Sequence, residues 1–539
     1  MDRSKTAEWR SILFRHLDGL GLCAPIAALH EHGVLDVLRQ QTSACIEDLS
    51  DQFNVNPGYL NVSLRLLASQ GWLTQNILED GQNTHYSVTA KGQACLALGE
   101  HYPPFARFIS RLAAINDTLF DENPGAVQTE FDQLMGRLEA LNTRYAERNT
   151  PGWEMTRHLE GLLAGPMLVA LGMHNFSSKW VSDTGSLVDS ARLEKYPMLR
   201  SVLHLLTKIN WLYGMEGRYC FTEEGLFFLK RASAYGVTVS YLPMFARMSD
   251  LLFGDPAVLW YPSKDGLETH VNRRMNVWGS GGAHALYFKK IDEIITHIFN
   301  QPIEDQPTGI ADMGCGDGTL LVHLYEVVKN QTERGKQLDR YPLRVIGADF
   351  NAAAREASEI TLEKAGIDHA ITYGDISDPA GYARCVREQF GLDLKDMLNV
   401  RSFLDHNRIY SGIQSDAPDN SNLSSGAFCF RGQWIANQEL QQNLVEHFQA
   451  WAPHIGNHGL LILELHTLAP ELTAQHLGKS LSGAYDATHG FSDQYILEVE
   501  YMLEAAEKAG LTADPHYQAL FPNAQIPTIS INLFRTLMH

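Results

Sequence analysis

The residues with the clearest chemical potential lie in a glycine-rich turn between an apolar strand and a helix. Residues 310–313 predict a buried strand, and a helical pattern begins near Thr319. The turn between them, Gly314-Cys315-Gly316-Asp317-Gly318, has glycines where the backbone must bend sharply and approach a ligand with no Cβ atom in the way. The first turn of the helix presents free N–H groups to the same place. This segment therefore predicts a ligand-binding site.

A second group of chemically active residues follows the fourth predicted strand of the same region. Asp405 and His406 come directly after that strand, and a histidine is suited to general-base catalysis near neutral pH. Later in the chain, His489 offers a second imidazole. Two histidines and one carboxylate form the set that binds Fe(II) or Mn(II) with open positions for substrate. Two hypotheses stay open: His406 is a plain base, or His406, His489 and Asp405 bind a metal, with Gln433 and His466 as further candidate ligands.

Composition limits the class of protein. A chain of 539 residues predicts about three domains or a little more, and 45% hydrophobic with 20% charged residues is typical of a soluble globular protein. The net charge of -20 argues against a nucleic-acid partner. Seven cysteines without C-x-x-C pairing indicate a reducing compartment. Because neither a signal peptide nor an apolar run of roughly 18 residues is visible, we expect a cytoplasmic protein without a membrane partner.

The glycine-rich segment, D-x-G-C-G-x-G from Asp312, resembles motif I of the class I S-adenosylmethionine (SAM) methyltransferases. From Thr308 to the C-terminus, strands and helices alternate, which predicts an α/β domain with a mostly parallel sheet and helices on both faces. A last strand pair near 512–517 and 528–535 would form the antiparallel edge. The resemblance covers roughly residues 280–539. It implies a Rossmann-like, seven-stranded SAM methyltransferase domain, and hence an enzyme with SAM as cofactor.

The resemblance also implies which residues bind SAM. Asp349 ends the second predicted strand, where an acid would hold the ribose diol through two charge-assisted hydrogen bonds. Asp375 and Ile376 follow the third strand, in the position of the adenine contact, with the carboxylate accepting from the exocyclic amine and the isoleucine covering the ring. The predicted SAM contacts are Asp312, Gly314, Gly316, Asp317, Gly318, Asp349, Phe350, Asp375, Ile376 and Asn399.

The residues after the fourth strand, together with His489, resemble two groups of metal-dependent C-methyltransferases. One acts on 2-oxo acids, and the other, from polyketide synthase loading modules, methylates malonyl groups on acyl carrier protein. The large N-terminal region and the insertion at 411–436 fit the loading-module type better. The predicted catalytic residues are His406, Asp405, Arg401 and Tyr287. The alternatives are a small-molecule O-methyltransferase with His406 as general base and, with less support, a SAM-binding regulator.

The N-terminal region predicts a winged helix that occurs twice. A helix begins at Asn56-Pro57, two short strands follow, and another helix begins at Thr89. The same order returns around Pro166 to Gly225, which predicts a second, degenerate copy. The helix that would enter DNA carries one basic residue, Arg65, so packing or dimerisation is the favoured role. The two copies could pair within one chain, and a monomer and a homodimer both remain possible.

The predicted domain plan has five parts. Residues 1–100 form a winged-helix-like unit, 101–158 a helical bridge, 159–240 the second unit, 241–306 a linker or lid, and 307–539 the methyltransferase domain. Within the linker, the glycines after Trp278 predict a flexible hinge, next to an aromatic helix with His284 and Tyr287. This stretch would be either a lid over the active site or an ordinary interdomain linker.

Overall fold

The structure is a computed structural model that describes residues 3–78, 83–182, 195–215, 218–260, 268–281, 284–415 and 422–536. The chain forms two compact units. The first comprises Met1–His284, Ala427–Ile435 and Ala469–Asp493, and the second comprises Ala285–Gly426, Ala436–Leu468 and Gln494–His539. Two segments from the predicted methyltransferase domain therefore pack with the N-terminal residues, which the five-part plan did not anticipate.

Helices dominate the first unit and alternate with strands in the second. The α-helices in chain order are α1 (Arg3–Glu31), α2 (Val34–Gln41), α3 (Ile46–Phe53), α4 (Pro57–Ser69), α5 (Ala90–Leu96), α6 (Pro103–Ala106), α7 (Ile109–Ala113), α8 (Ile115–Thr118), α9 (Ala126–Arg144), α10 (Pro151–Met173), α11 (Phe176–Trp180), α12 (Pro197–Lys208), α13 (Glu223–Leu229), α14 (Ser233–Ser240), α15 (Leu242–Phe245), α16 (Met248–Phe253), α17 (Arg273–Gly281), α18 (His284–Ile298), α19 (Thr319–Gln331), α20 (Ala352–Lys364), α21 (Pro379–Phe390), α22 (Asn437–Trp451), α23 (Pro470–Gln475), α24 (Ser482–Gly490) and α25 (Val499–Lys508).

The strands are short in the first unit and longer in the second. They are β1 (Ser43–Cys45), β2 (Leu73–Ile77), β3 (Thr84–Val88), β4 (Leu212–Met215), β5 (Arg218–Phe221), β6 (Gly309–Met313), β7 (Arg344–Asp349), β8 (His369–Tyr373), β9 (Met397–Ser402), β10 (Phe428–Phe430), β11 (Gln433–Ile435), β12 (Leu460–Leu465), β13 (Leu511–Ala513), β14 (Ala519–Phe521) and β15 (Ile529–Thr536). Single turns of 3-10 helix occur at Gly99–His101, Pro256–Leu259, Ile303–Asp305, Gly335–Gln337, Leu394–Asp396, Asp405–Asn407 and Ala452–His454.

The second unit is built on one sheet with the order β13-β15-β12-β9-β6-β7-β8, and β14 pairs with β15. β6 runs parallel to β7 and β9, whereas β15 runs antiparallel to β12. This confirms the predicted Rossmann-like class, with β14 as an eighth strand that the sequence did not predict. The carboxyl ends of β6, β7, β8, β9 and β12 lie at one edge of the sheet, so the residues that follow these strands are brought together there.

The two predicted winged-helix copies share the same geometry where the second of the paired strands meets the next helix. Thr89 caps α5 by accepting the N–H of Gly92 at 2.9 Å, and Thr222 caps α13 by accepting the N–H of Gly225 at 3.0 Å. A Cβ atom on Gly92 would lie 1.8 Å from the carbonyl oxygen of Trp72, and one on Gly225 would lie 2.1 Å from that of Trp211. Each tryptophan directly precedes a strand, β2 or β4. The repeat seen in the sequence is therefore accompanied by a repeated backbone conformation.

Two long apolar helices form the centre of the first unit. A Cβ atom added to Gly19 of α1 would lie 2.4 Å from the Cα of His158 in α10, and one added to Gly161 of α10 would lie 2.4 Å from the Cα of His16 in α1. The contact is reciprocal, since a glycine of each helix packs against the backbone of a histidine in the other. By length and composition the stretch Ser4–Glu31 could cross a membrane, but 89% of its apolar window is buried inside the protein.

The predicted recognition helix, α4, is buried from Gly58 to Ser69. Arg65 is 2% exposed and pairs with Asp486 of α24. The backbone N–H of Gly58 donates to the carbonyl of Gly432, between β10 and β11. The two segments contributed from the C-terminal half of the chain thus cover the surface that a DNA-binding winged helix would present.

The glycine-rich stretch after Trp278 is not the predicted flexible hinge up to Gly281, because those residues belong to α17. A Cβ atom on Gly279 would lie 2.6 Å from the backbone of Gly236 in α14, and one on Gly236 would lie 2.5 Å from the Cα of Gly279. Here the glycines allow two helices to approach closely. Residues 282 and 283 lie outside the described residues.

Candidate active site

The predicted glycine-rich turn lies between β6 and α19. Gly314, Gly316 and Gly318 all have positive φ, at 82°, 56° and 79°, a backbone region that favours glycine. A Cβ atom on Gly316 would meet no atom of the described residues within 4 Å, so these residues leave the space beside the turn open. Asp317 accepts the N–H of Thr319 at 3.0 Å and so caps the first turn of α19.

Asp312, at the end of β6, has a buried carboxylate with an unsatisfied oxygen. Its exposed fraction is 1%, and its Oδ1 has no hydrogen-bond partner among the described residues. Burial, followed by the nearby charge of Asp349, raises the pKa of Asp312 to about 7. An orphaned buried acceptor beside an open glycine turn fits SAM, whose ammonium and sulfonium groups carry positive charge.

Asp349 and Phe350 follow β7 and adjoin the same turn. The Oδ2 of Asp349 accepts the N–H of Gly316 at 3.2 Å, and its Oδ1 accepts the N–H of Asn351 at 2.8 Å. The carboxylate therefore fixes the glycine turn from the neighbouring strand. Phe350 is 62% exposed, and its ring lies 5.7 Å from that of Tyr373 at the end of β8.

Asp375 and Ile376 lie where the sequence predicted them, just past β8. The Oδ1 of Asp375 accepts the N–H of Ser377 at 2.8 Å, and the carbonyl of Ile376 accepts the indole N–H of Trp451 at 2.8 Å. Asn399 is placed differently, because its Nδ2 donates to the carbonyl of Leu394 at 2.9 Å near the start of β9. The side chain of Asn399 therefore binds the segment that precedes β9. It does not point to the carboxyl edge of the sheet, where the other predicted SAM contacts lie.

His406 lies in the 3-10 turn after β9 and is held by Glu464 of β12. Its Nδ1–H donates to Glu464 Oε1 at 2.5 Å, and its backbone N–H donates to Oε2 at 3.1 Å. The carbonyl of His406 accepts the N–H of Tyr495 at 2.7 Å. With the proton on Nδ1, the lone pair of the neutral ring is on Nε2, so this arrangement sets the tautomer that a general base needs.

Asp405 points to a different set of partners. Its Oδ1 accepts from Arg401 Nη1 and from His447 Nε2, the latter at 2.9 Å. Although burial acts in the opposite direction, the charges of Arg401 and His447 lower the pKa of Asp405 to about 2. The guanidinium of Arg401 lies 3.9 Å from the centre of the Trp451 ring, and Arg408 Nη1 donates to the Asp405 carbonyl at 3.0 Å. Asp405 therefore anchors the turn that carries His406.

Tyr287 lies in α18 and approaches the same turn. Its ring centre is 6.4 Å from that of Phe403, the first residue after β9, and 5.1 Å from that of Phe521. Phe403 has a φ of 54°, a strained conformation for a bulky residue that marks the point where the chain leaves the strand. Burial raises the pKa of Tyr287 to about 12. The side chain of His284 lies outside the described residues.

The predicted metal ligands do not form a metal site among the described residues, which contain no group of three or more His, Cys, Asp or Glu side chains placed to hold an ion. Asp405 and His406 belong to the second unit, whereas His489 and Gln433 belong to the first. Gln433 is exposed in β11. Both ring nitrogens of His466 are occupied, by the Leu497 carbonyl at 3.0 Å and by Ser530 Oγ at 2.7 Å.

Sequence reasoning missed three residues of this site: Glu464, His447 and Trp451. Glu464 carried a signal, since it is an acid at the carboxyl end of an otherwise apolar strand, beside the strand that leads to His406. His447 and Trp451 lie in α22, more than forty residues beyond Arg401 and Asp405. No short-range pattern links them to the turn, so only the fold reveals the contact.

Comparison with protein families finds three matches along the chain. Residues 268–532 match the model of the AprA MT2-like domain, a methyltransferase domain. Residues 9–75 match the AprA N-terminal domain, and residues 160–255 match the AprA winged helix domain. The last match covers the predicted second winged helix. No curated protein matches the chain.

The solved structures that match this chain include both C- and O-methyltransferases. The CurJ carbon methyltransferase is 13% identical over 81% of this chain and 99% of its own, with a TM-score of 0.33. An O-methyltransferase family protein from Burkholderia thailandensis is 11% identical over 69% and 94%, with a TM-score of 0.39. The SAM-dependent methyltransferase SibL is 14% identical over 70% and 96%, also with a TM-score of 0.39.

Proposed function

Because this chain belongs to the SAM-dependent methyltransferases that combine an AprA MT2-like domain with AprA N-terminal and winged helix domains, we propose that it methylates a carbon next to a carbonyl, with His406 as the base. The observation that carries the proposal is the His406–Glu464 pair at the carboxyl edge of the sheet. SAM, when bound, supplies the methyl group as an electrophile. The acceptor is a 2-oxo acid or an acyl thioester, such as a malonyl group on acyl carrier protein.

The pair supports proton removal from the acceptor. Glu464 keeps the Nδ1 proton in place, so Nε2 of His406 accepts the proton of the acceptor and Glu464 stabilises the imidazolium that forms. Glu464 also accepts the backbone N–H groups of His406 and Leu465, the latter at 2.7 Å. These bonds leave little freedom to either side chain, which favours a fixed base over a mobile one.

The same turn offers positive charge for the oxygen of an enolate. Removing a proton next to a carbonyl places negative charge on oxygen, and a nearby cation stabilises it. Arg401 and Arg408 are 1% and 3% exposed, and burial lowers the pKa of both, to about 10 for Arg408. Among the described residues, Arg408 has no carboxylate within ion-pair distance, although it lies in the field of Asp405 and Glu464. Such cations suit carbon-acid chemistry better than the methylation of a phenol, which a histidine base can perform without them.

Metal assistance, which the sequence predicted, is the alternative form of this reaction. The described residues contain no group of three or more side chains placed to hold an ion; Oδ1 of Asp405 binds Arg401 and His447, whereas its Oδ2 has no hydrogen-bond partner among them. Dialysis against a chelator, followed by addition of Fe(II) or Mn(II), separates the two forms. Full activity without metal supports the proposal, and activity that returns only with metal supports the alternative.

The test of the proposal uses the full-length protein with SAM and a panel of 2-oxo acids and acyl thioesters, and mass spectrometry detects methylated products. Exchange of the acceptor's α-hydrogen in D2O, with S-adenosylhomocysteine in place of SAM, isolates the action of the base. We expect exchange by the wild type and none by His406→Gln. Methylation of phenols without α-hydrogen exchange would replace the proposal by O-methylation. We propose that the reaction takes place in the cytosol. We propose no nucleic-acid partner, since α4 is buried under the segments that carry Gly432 and Asp486.

A further inference from the structure

Among the described residues, one edge of the Arg401 guanidinium has no hydrogen-bond partner although the whole side chain is buried. The Nη1 atom binds Asp405 and lies 3.4 Å from His447 Nε2. The other two nitrogens, Nε and Nη2, are buried and donate to nothing among the described residues. These two N–H groups lie on the same side of the planar guanidinium and point in the same direction, which is the geometry that binds both oxygens of a carboxylate at once.

Two contacts hold the guanidinium of Arg401 in place. Asp405 fixes one corner of the guanidinium, and the face lies on the Trp451 ring, 3.9 Å from its centre. Trp451 in turn donates to the carbonyl of Ile376, the predicted adenine contact. Arg401 is also the fifth residue of β9 and lies four residues before Asp405. Arg401 therefore lies between Trp451, which binds a predicted cofactor contact, and the turn that carries the proposed base.

We propose that the Nε and Nη2 edge of Arg401 is a binding site for a carboxylate, carried either by the methyl acceptor or by the methionyl part of SAM. A buried donor pair without an acceptor is costly to a protein, and a bidentate ligand would satisfy both donors. The assignment of the carboxylate to acceptor or cofactor rests on the proposed function; the site itself does not.

The charges around the site allow such a ligand. Arg401 and Arg408 balance Asp405 and Glu464, and Tyr382, whose pKa burial raises, is neutral. Arg408, whose Nη1 donates to the Asp405 carbonyl, adds a second buried nitrogen, Nη2, that has no hydrogen-bond partner in the described part of the chain.

The test uses formate as the smallest carboxylate and formamide as its uncharged counterpart, titrated calorimetrically into the full-length protein with and without SAM. We expect formate to bind the wild type and formamide not to bind. Arg401→Lys keeps the positive charge but lacks the two-donor edge, and should weaken formate binding at least tenfold. Arg344→Lys, an exposed arginine on β7, serves as the matched control and should bind formate as the wild type does.

The two possible sources of the carboxylate give different results. If it belongs to the acceptor, formate binds equally well in the presence of SAM. If it belongs to SAM, formate and SAM compete, and Arg401→Lys weakens SAM without weakening decarboxylated SAM. Absence of formate binding to the wild type, or equal binding to Arg401→Lys, overturns the site. Should Arg401→Lys fail to fold, the formate and formamide titrations of the wild type still decide. Because no titration involves methyl transfer, failure here leaves the proposed function untouched.

Discussion

Glu464 binds His406 through both of its carboxylate oxygens, one to the ring at 2.5 Å and one to the backbone at 3.1 Å. Glu464→Gln preserves shape but can accept only one of these two bonds. We expect kcat to fall by up to about 10⁴-fold, the loss that follows when the carboxylate that orients a catalytic histidine is replaced by its amide. His406→Gln should lose about 10²–10⁴-fold, the contribution of a general base. Steady-state assays with the acceptor found in the product screen provide the measurement.

The control for this pair is SAM affinity, because neither residue belongs to the predicted cofactor contacts. Calorimetric titration should give a SAM Kd for Glu464→Gln close to that of the wild type. An unchanged kcat in Glu464→Gln would show that the carboxylate is only structural, and the assignment of His406 as the base would lose its support.

The cofactor site predicts a loss of SAM affinity in two single variants. Asp349→Ala and Asp375→Ala should each weaken binding by roughly 1.5–3 kcal/mol, the scale of a lost charged hydrogen bond. Asp349 also holds the N–H of Gly316, so its loss should loosen the glycine turn and give the larger effect. Asp368→Ala, a largely exposed acid in the loop before β8, is the matched control. If both test variants bind SAM as the wild type does, the cofactor assignment is wrong.

The buried carboxyl of Asp312 makes SAM binding depend on pH. Its pKa is raised to about 7 by burial and by the charge of Asp349, so below that pH the group is mostly neutral in the free protein. Positive charge on SAM favours the ionised form, and binding therefore releases a proton. The affinity should rise from pH 5.5 to 7 and then level off. Titration at several pH values tests this, and Asp312→Asn should bind more weakly without the rise.

Local signals predicted the parts of the fold and site that depend on neighbouring residues. An apolar run, three glycines and a resumed helical pattern determine the β6 turn because the backbone there needs positive φ at Gly314, Gly316 and Gly318. Acids that end successive parallel strands must lie at one edge, which explains why the strand-end positions of Asp349 and Asp375 could be predicted; their contacts with SAM stay a prediction.

Contacts that only the tertiary structure creates could not be predicted from the sequence. The segment that carries His489 packs in the first unit, where Asp486 pairs with Arg65, and a metal site with His406 and His489 stays a prediction. The glycines near Trp278 suggested flexibility, whereas Gly279 permits close helix packing. Glycine serves both purposes, and the sequence alone does not distinguish them. The sequence does not show that Asp405 binds Arg401 and His447, because these partners lie in other elements, β9 and α22.

The reciprocal contact of α1 with α10 leads to the last prediction. Gly19→Ala and Gly161→Ala each place a methyl group 2.4 Å from a backbone atom of the other helix. Separating the helices should lower stability by about 1–3 kcal/mol, the usual cost of overpacking. Gly136→Ala in α9, where nothing lies within 4 Å, is the matched control and should raise stability by about 0.5–1 kcal/mol, since alanine favours helix. Thermal unfolding gives the comparison.

The same contact bears on oligomeric state, because α1 and α10, which lie in the regions of the two predicted winged-helix copies, contact each other within one chain. We expect the double variant Gly19→Ala/Gly161→Ala to lose less stability than the two single losses added together, since both methyl groups separate the same helices. The wild type should be a monomer of 60.3 kDa by light scattering. If the wild type is an obligate dimer and the double variant dissociates it, the α1–α10 contact forms between two chains. The contact within one chain would then not remove the need for a dimer.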